Sequence, residues 1–119
     1  MGGYSHVLRV PANAELVFIA GQVGADRDGR VLDGAAAQAR QALANLKACL
    51  ENEGMSARDV VRLTVYVTDA RYTEDMQRER QSVFGCTELP TSTFLIVLGL
   101  AEPELLLEID AIAAKAPGL

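Results

Sequence analysis

The pattern that most constrains the fold is a pair of helical segments separated by one strongly alternating strand. From Gly34 to Glu53, apolar residues recur at spacings of four, three and four, which places them on one face of a helix. Val60 to Thr68 (VVRLTVYVT) alternates instead, as a strand does. A second helix is predicted from about Tyr72 to Phe84, with Asp69 in position to cap it. A chain that changes period in this way favours an α+β fold.

Further strand-forming segments flank the helices on both sides. They are Ser5 to Val10, Glu15 to Val23, Thr91 to Leu100 and Leu105 to Ala114. The predicted order is β-β-α-β-α-β-β in a single domain spanning residues 1–119. Two helices cover one face of a mixed sheet, and the other face is expected to expose Leu95, Val97, Leu105, Leu107 and Ile109. Such a face usually packs on a partner, so we expect a homo-oligomer; a small monomer with a curled sheet is the alternative.

Charge and composition narrow the class of partner. With 11 basic and 16 acidic residues the net charge is −5, which argues against nucleic-acid binding through a broad basic surface. The longest apolar run, Phe94 to Ala101, is far shorter than a membrane-spanning helix, and no secretory leader is visible. We therefore expect a cytoplasmic protein with no membrane partner. Two cysteines and one histidine leave little material for a metal site, so neither metal nor cofactor is expected.

Several motifs, in order and at matching spacing, resemble the YjgF/RidA family from Tyr4 to Ala113. They are Tyr4-Ser5-His6, Leu16 to Gln22 (LVFIAGQ), Gln38 to Leu50, Asp59 to Asp69 (DVVRLTVYVTD), Pro90 to Thr93 and Leu107 to Ala113. The resemblance implies a chorismate-mutase-like fold and a homotrimer with small-molecule clefts between subunits. It also implies hydrolysis of reactive enamines and imines, such as 2-aminoacrylate, to a keto acid and ammonia.

The sequence departs from this family at one residue that binds substrate. In the family's deaminases, an arginine that follows a Pro-x pair on the penultimate strand grips the substrate carboxylate. Ser92 stands at that position here, and no Lys or Arg occurs from Gln81 to Ala114. Exchanging a charged, forked donor for one neutral hydroxyl costs on the order of 2–4 kcal/mol for a carboxylate ligand. Standard 2-aminoacrylate deaminase activity is therefore not expected.

Glu108 is the candidate catalytic residue. It lies in the apolar segment Leu105 to Ile112, where burial raises a carboxyl pKa and suits acid–base work near neutral pH. The resemblance implies that it orients water or accepts a proton; a glutamate bonded structurally at a subunit interface is the alternative. The residues expected to bind substrate are Tyr4, Gly21, Gln22, Gln77, Ser92 and Thr93.

Several of these candidates, and some residues near them, also have a purely structural interpretation. Tyr4 and His6 are also explained as packing or surface residues near the terminus, and Gly21 as part of a strand-end turn. Phe94 either adds bulk to the cleft or packs under the first helix. Cys49 is interpreted as a small core residue. Cys86 is interpreted as a loop residue with no neighbouring base to deprotonate its thiol. The solvated face of the second helix is expected to carry Glu74, Asp75, Arg78, Glu79 and Arg80.

Together these features predict a small-molecule protein that hydrolyses or tautomerises an imine, an enamine or a related carbonyl compound between subunits. The alternative is a non-catalytic ligand-binding or regulatory trimer on the same scaffold, which the missing arginine favours. Endoribonuclease and translation inhibitor are labels also used in the family. They are the least favoured here, because the chain is acidic.

Overall fold

Four strands and two α-helices make up the computed structural model, which describes residues 4–85 and 89–117. In chain order the elements are β1 (Glu15–Val23), α1 (Ala35–Asn52), β2 (Val60–Val67), α2 (Thr73–Phe84), β3 (Thr91–Ile96) and β4 (Leu107–Lys115). Short 3₁₀ turns lead into β2 and α2. The turn before α2 begins at Asp69, whose carboxylate accepts a hydrogen bond from the Arg71 backbone N–H at 2.9 Å. Asp69 thus caps this turn, and α2 itself starts four residues later, at Thr73.

The strands form one mixed sheet in the order β1-β4-β2-β3. β4 runs antiparallel to both β1 and β2, whereas β3 runs parallel to β2. Since a parallel pair needs a crossover, α2 carries the chain from the end of β2 back to the start of β3. The predicted α+β class, with two helices on a mixed sheet, is confirmed.

The core lies between the helices and one face of the sheet. α1 contributes Ala39, Ala42, Leu43, Leu46 and Leu50, all at most 1 % exposed. From the sheet side it meets Leu63, Val65, Leu107 and Ile109. Cys49, Val83 and Phe94 pack against this core while remaining partly exposed. None of the helices in the described part of the chain is long and apolar enough to cross a membrane.

The expected strand at Ser5 to Val10 is wrong. Only an isolated bridge from Ser5 to Thr91 forms there, and Val7 is 81 % exposed. This segment gains no burial from pairing, and Pro11 interrupts it. β3 is also shorter than the expected Thr91 to Leu100. It ends at Ile96, because Ile96 pairs with Val67, the last residue of its partner strand β2.

The expected composition of the uncovered sheet face needs correction. Leu105, Leu107 and Ile109 lie in the buried interior, because the side chains that alternate with them on β4, Glu108 and Asp110, take the opposite face. The apolar residues that this outer face does expose are Leu16, Phe18 and Leu95, at 53, 71 and 41 %.

Candidate functional site

A polar cluster occupies the outer face where β2 and β4 run side by side. The Tyr66 hydroxyl donates to Asp110 Oδ2 at 2.8 Å, and Glu108 lies directly across the ladder from Tyr66. Burial raises the pKa of the Glu108 carboxyl, and the nearby charge of Asp110 raises it further. The hydrogen bond to Asp110 is the main cause of a raised pKa at Tyr66. Glu108 is therefore placed to exchange protons closer to neutral pH than an exposed glutamate.

Gly21 leaves the space that the Glu108 carboxylate occupies. The β1–β4 register shifts between Ile19 and Gln22, and this irregularity brings Gly21 against Glu108. A Cβ atom at Gly21 would overlap Glu108 Oε2. The position of the carboxylate thus depends on the absence of a side chain at residue 21.

Replacing Gly21 by alanine is expected to displace the Glu108 side chain. A catalytic group moved by about 1 Å loses on the order of 100-fold in rate, so kcat/KM should fall by roughly 10- to 100-fold if Glu108 is catalytic. The melting temperature should change little, because the overlapping atoms belong to the end of a flexible side chain. Gly99→Ala is the matched control, since a Cβ there meets nothing within 4 Å. Unchanged turnover in Gly21→Ala would show that this recess is not part of the site.

Thr93 lies on the same outer face, one strand beyond β2. It is level with Thr64, and its hydroxyl accepts a hydrogen bond of 2.8 Å from Arg62 Nη2. Arg62 is a cation on this face that sequence analysis did not single out. The alternation of β2 gave a signal, since Arg62, Thr64 and Tyr66 are its polar positions.

Ser92 points to the opposite side of the sheet from Thr93. It is level with Leu63, a fully buried core residue, so its side chain faces the helices. Arg80 Nη1 of α2 donates to Ser92 Oγ at 3.1 Å. Arg80 was expected among the solvated charges of α2, but it is only 5 % exposed. It follows buried Met76 by four residues, which places both on the inner side of the helix.

Of the remaining predicted site residues, Tyr4 and Gln22 lie near the edges of the sheet and Gln77 lies on α2. The Ser5 N–H donates to the Pro90 carbonyl at 2.8 Å, which holds Tyr4 beside the start of β3. The Tyr4 ring meets His6 edge-on, with 5.3 Å between centroids. Gln77 is half-buried one turn before Arg80. Gln22 donates to the Ala20 carbonyl at 3.0 Å and lines a groove of about 430 Å³ beside β1.

One chain does not bring all these residues into a single site. Gly21, Thr93 and Glu108 share the outer face, whereas Ser92 faces the helices and Tyr4 lies near the start of β3. β2 separates the strands of Glu108 and Ser92, and Ser92 is level with Ala111, three residues along β4 from Glu108, so the two backbones are about 14 Å apart. A site that uses both side chains therefore needs a second chain. Among the described residues, no group of three or more His, Cys, Asp or Glu is arranged to hold a metal ion, and Cys86 lies outside those residues.

Known proteins match the sequence over nearly its whole length. The family model described as Endoribonuclease L-PSP matches residues 1–115. A RutC family protein of Pyrococcus horikoshii is 33 % identical over 117 residues, covering 97 % of this chain and 89 % of that protein. A 2-iminobutanoate/2-iminopropanoate deaminase of Salmonella typhimurium is 42 % identical over 55 residues, covering 45 % of this chain and 43 % of that protein.

Solved structures agree with these matches. The conserved Rid family protein YyfB of Yersinia pestis, of unknown function, superimposes with a TM-score of 0.84 at 34 % identity, covering 95 % of this chain and 87 % of that one. RidA of an Antarctic Psychrobacter gives a TM-score of 0.78 at 30 % identity, covering 96 % and 89 %. The chain therefore belongs to the YjgF/RidA family, to which its motifs, its fold and its relatives all point.

Proposed function

We propose that this protein hydrolyses an imine or enamine to a carbonyl compound and ammonia in a cleft between subunits of a homotrimer. The observation that carries the proposal is Glu108, a carboxyl group with a raised pKa in a recess that Gly21 keeps open. The name of the Salmonella typhimurium relative supports the substrate class, since that protein acts on imines.

The reaction needs a group that takes a proton and later returns it. Ionised Glu108 accepts a proton from water as the water oxygen forms a bond to the imine carbon, and the imine nitrogen takes up a proton from solvent, which the later loss of the hydroxyl proton returns. Protonated Glu108 then donates to the amino group of the resulting carbinolamine. The C–N bond breaks, ammonia leaves, and loss of the hydroxyl proton gives the carbonyl product. A carboxyl pKa raised toward neutrality suits both halves of this cycle.

A cleft between chains explains why the predicted residues lie on two sides of the sheet. Glu108 of one chain would face the β3 edge of its neighbour, where Ser92, Gln77 and Tyr4 lie. The exposed apolar side chains of the outer face, of which Phe18 is the most exposed, supply a surface on which the neighbouring chain would pack. A repeated contact between two different surfaces forms a ring when its rotation closes, and a trimer is such a ring.

A non-catalytic ligand-binding trimer is the second candidate. It is favoured by Ser92, which stands where the resemblance places the family's substrate-binding arginine. RNA cleavage is disfavoured by the net charge of −5. We also propose a cytoplasmic location.

Two measurements on the wild-type protein test the proposal. Light scattering after size exclusion is expected to give three times the 12.7 kDa chain mass. In the second, imines without a carboxylate, generated in situ by an amine oxidase, are expected to yield ammonia and carbonyl product faster than they do spontaneously. A monomeric mass would overturn the inter-subunit cleft. Binding of keto acids without any acceleration over a panel of imines would favour the non-catalytic trimer.

A further inference from the structure

Asp110 is a carboxylate that the proposed hydrolysis does not use. It follows Glu108 by two residues on β4, so both side chains take the outer face of the sheet. Two residues of a strand span about 7 Å, which is less than the screening length of about 8 Å at physiological ionic strength. In the described part of the chain, neither carboxylate forms an ion pair with a basic side chain. The charge of each therefore disfavours the ionised form of the other.

Tyr66 distinguishes the two carboxyl groups. It lies directly across the β2–β4 ladder from Glu108, yet its hydroxyl donates its single proton to Asp110 Oδ2 at 2.8 Å. A hydrogen bond donated to a carboxylate favours the charged form. Asp110 is therefore the member of the pair that holds the charge, and Glu108 is the member that gains and loses a proton.

The other strands place no competing charge beside Glu108. On β2, Arg62 directs its Nη2 to Thr93 on β3, which lies on the side of β2 away from β4. The outward positions of β3 carry threonine and leucine, which do not titrate. On β1, the residue against the Glu108 carboxylate is Gly21, which has no side chain. Burial raises the pKa of the Glu108 carboxyl, and Asp110 is the charged group that raises it further.

We propose that Tyr66 and Asp110 tune Glu108 for proton exchange: Tyr66 holds the Asp110 carboxylate in place, and Asp110 acts on Glu108 through its charge. The inference rests on the proposed function for the reaction that Glu108 performs. Both are positioning residues, since they act through Glu108 rather than on the substrate. Without them, Glu108 would be a weaker base and would take a proton from the attacking water less readily.

The test follows the titration of the Glu108 carboxyl carbon by ¹³C NMR, together with the pH profile of kcat/KM. Asp110→Asn keeps the shape of the side chain and an oxygen that accepts from Tyr66, but it removes the charge. It is expected to lower both the midpoint of the Glu108 titration and the acidic limb of the profile by about 0.5–1.5 pH units, as a charge about 7 Å away predicts. Asp28→Asn, an exposed change in the loop before α1, should leave both unchanged.

Tyr66→Phe tests whether the tyrosine acts through Asp110. Phenylalanine keeps the ring but loses the hydrogen bond, so the freed Asp110 carboxylate should turn away from the like charge of Glu108. The midpoint is then expected to fall, but by less than in Asp110→Asn. In the double variant the midpoint should equal that of Asp110→Asn alone, because the hydroxyl has no charged partner left to hold. Asp110→Glu keeps the charge and should retain most of the raised midpoint.

An unchanged midpoint in Asp110→Asn would overturn the inference, as would shifts that simply add in the double variant. If Asp110→Asn does not fold, Tyr66→Phe decides: a lowered midpoint supports the inference, and an unchanged one overturns it. The NMR titration does not require turnover. A shifted midpoint without imine hydrolysis would therefore reject only the proposed reaction, whereas hydrolysis with an unshifted midpoint would reject only the role of Tyr66 and Asp110.

Discussion

Replacing Glu108 by glutamine is expected to lower kcat/KM for imine hydrolysis at least 100-fold. The amide has nearly the same shape, so it still fits against Gly21, but it neither accepts the proton of the attacking water nor returns it. Proton transfer by a positioned side chain contributes about 10²- to 10⁴-fold in rate. The measurement is the initial rate of ammonia formation, with Glu51→Gln, an exposed change on α1, as the matched control.

Thermal stability separates this catalytic effect from unfolding. Because burial raises the pKa of Glu108 in the folded chain, ionised Glu108 disfavours folding. That cost is absent below the ordinary carboxyl pKa of about 4.3 and grows as the pH rises through the folded pKa. Glu108→Gln is therefore expected to be at least as stable as wild type at neutral pH. Its stability relative to wild type should decline toward about pH 4, where both side chains are neutral. Retained turnover would contradict the catalytic role, and a marked loss of stability at neutral pH would indicate a structural one.

Replacing Gln38 by leucine is expected to destabilise the fold by about 3 kcal/mol, since three backbone groups lose their hydrogen-bond partner at roughly 1 kcal/mol each. Gln38 is 2 % exposed on α1. Its Nε2 donates to the carbonyls of Leu32 and Glu104, each at 3.0 Å, and its Oε1 accepts from the Leu106 N–H at 2.9 Å. These bonds join the segment before α1 to the segment that leads into β4. The measurement is urea unfolding at a fixed chain concentration.

Gln41→Leu is the matched control for this experiment. Gln41 lies one turn later on the same helix, and its Nε2 donates to Asn45 Oδ1 at 2.8 Å. Its loss affects one side-chain pair, so we expect a cost below about 1 kcal/mol. Equal destabilisation by the two substitutions would mean that the backbone partners of Gln38 do not determine its contribution to stability.

The periodicity of the sequence predicts most of the fold, because burial follows it closely. The apolar face of α1 and the alternation of β2 become the two sides of the core. The segment from Ser5 to Val10 has a strand-like composition but makes a single bridge, since pairing depends on a neighbour and on burial that composition does not reveal. Gln38, Ala42 and Leu46 follow one another at intervals of four residues, which places them on one face of α1. The sequence therefore also predicts that Gln38 is buried.

The candidate site is less predictable, because its residues come from different faces. Ser92 and Thr93 are adjacent on one strand, so their side chains point to opposite sides of the sheet and cannot line one wall. The prediction that both bind substrate in one cleft therefore requires more than one chain. Arg80 was missed because charged helix residues are usually solvated, although its spacing from Met76 gave the signal.

Co-expression of two inactive variants tests most directly whether the site is shared between chains. One variant is Glu108→Gln. The other is Ser92→Glu, whose carboxylate is expected to pair with the Arg80 guanidinium and so remove the Ser92 hydroxyl from the cleft. If each cleft takes Glu108 from one chain and Ser92 from its neighbour, random mixing restores about a quarter of the sites. Mixed oligomers are then expected to hydrolyse imines well above the level of either variant alone. Activity no higher than that of the separate variants would contradict a cleft built from two chains.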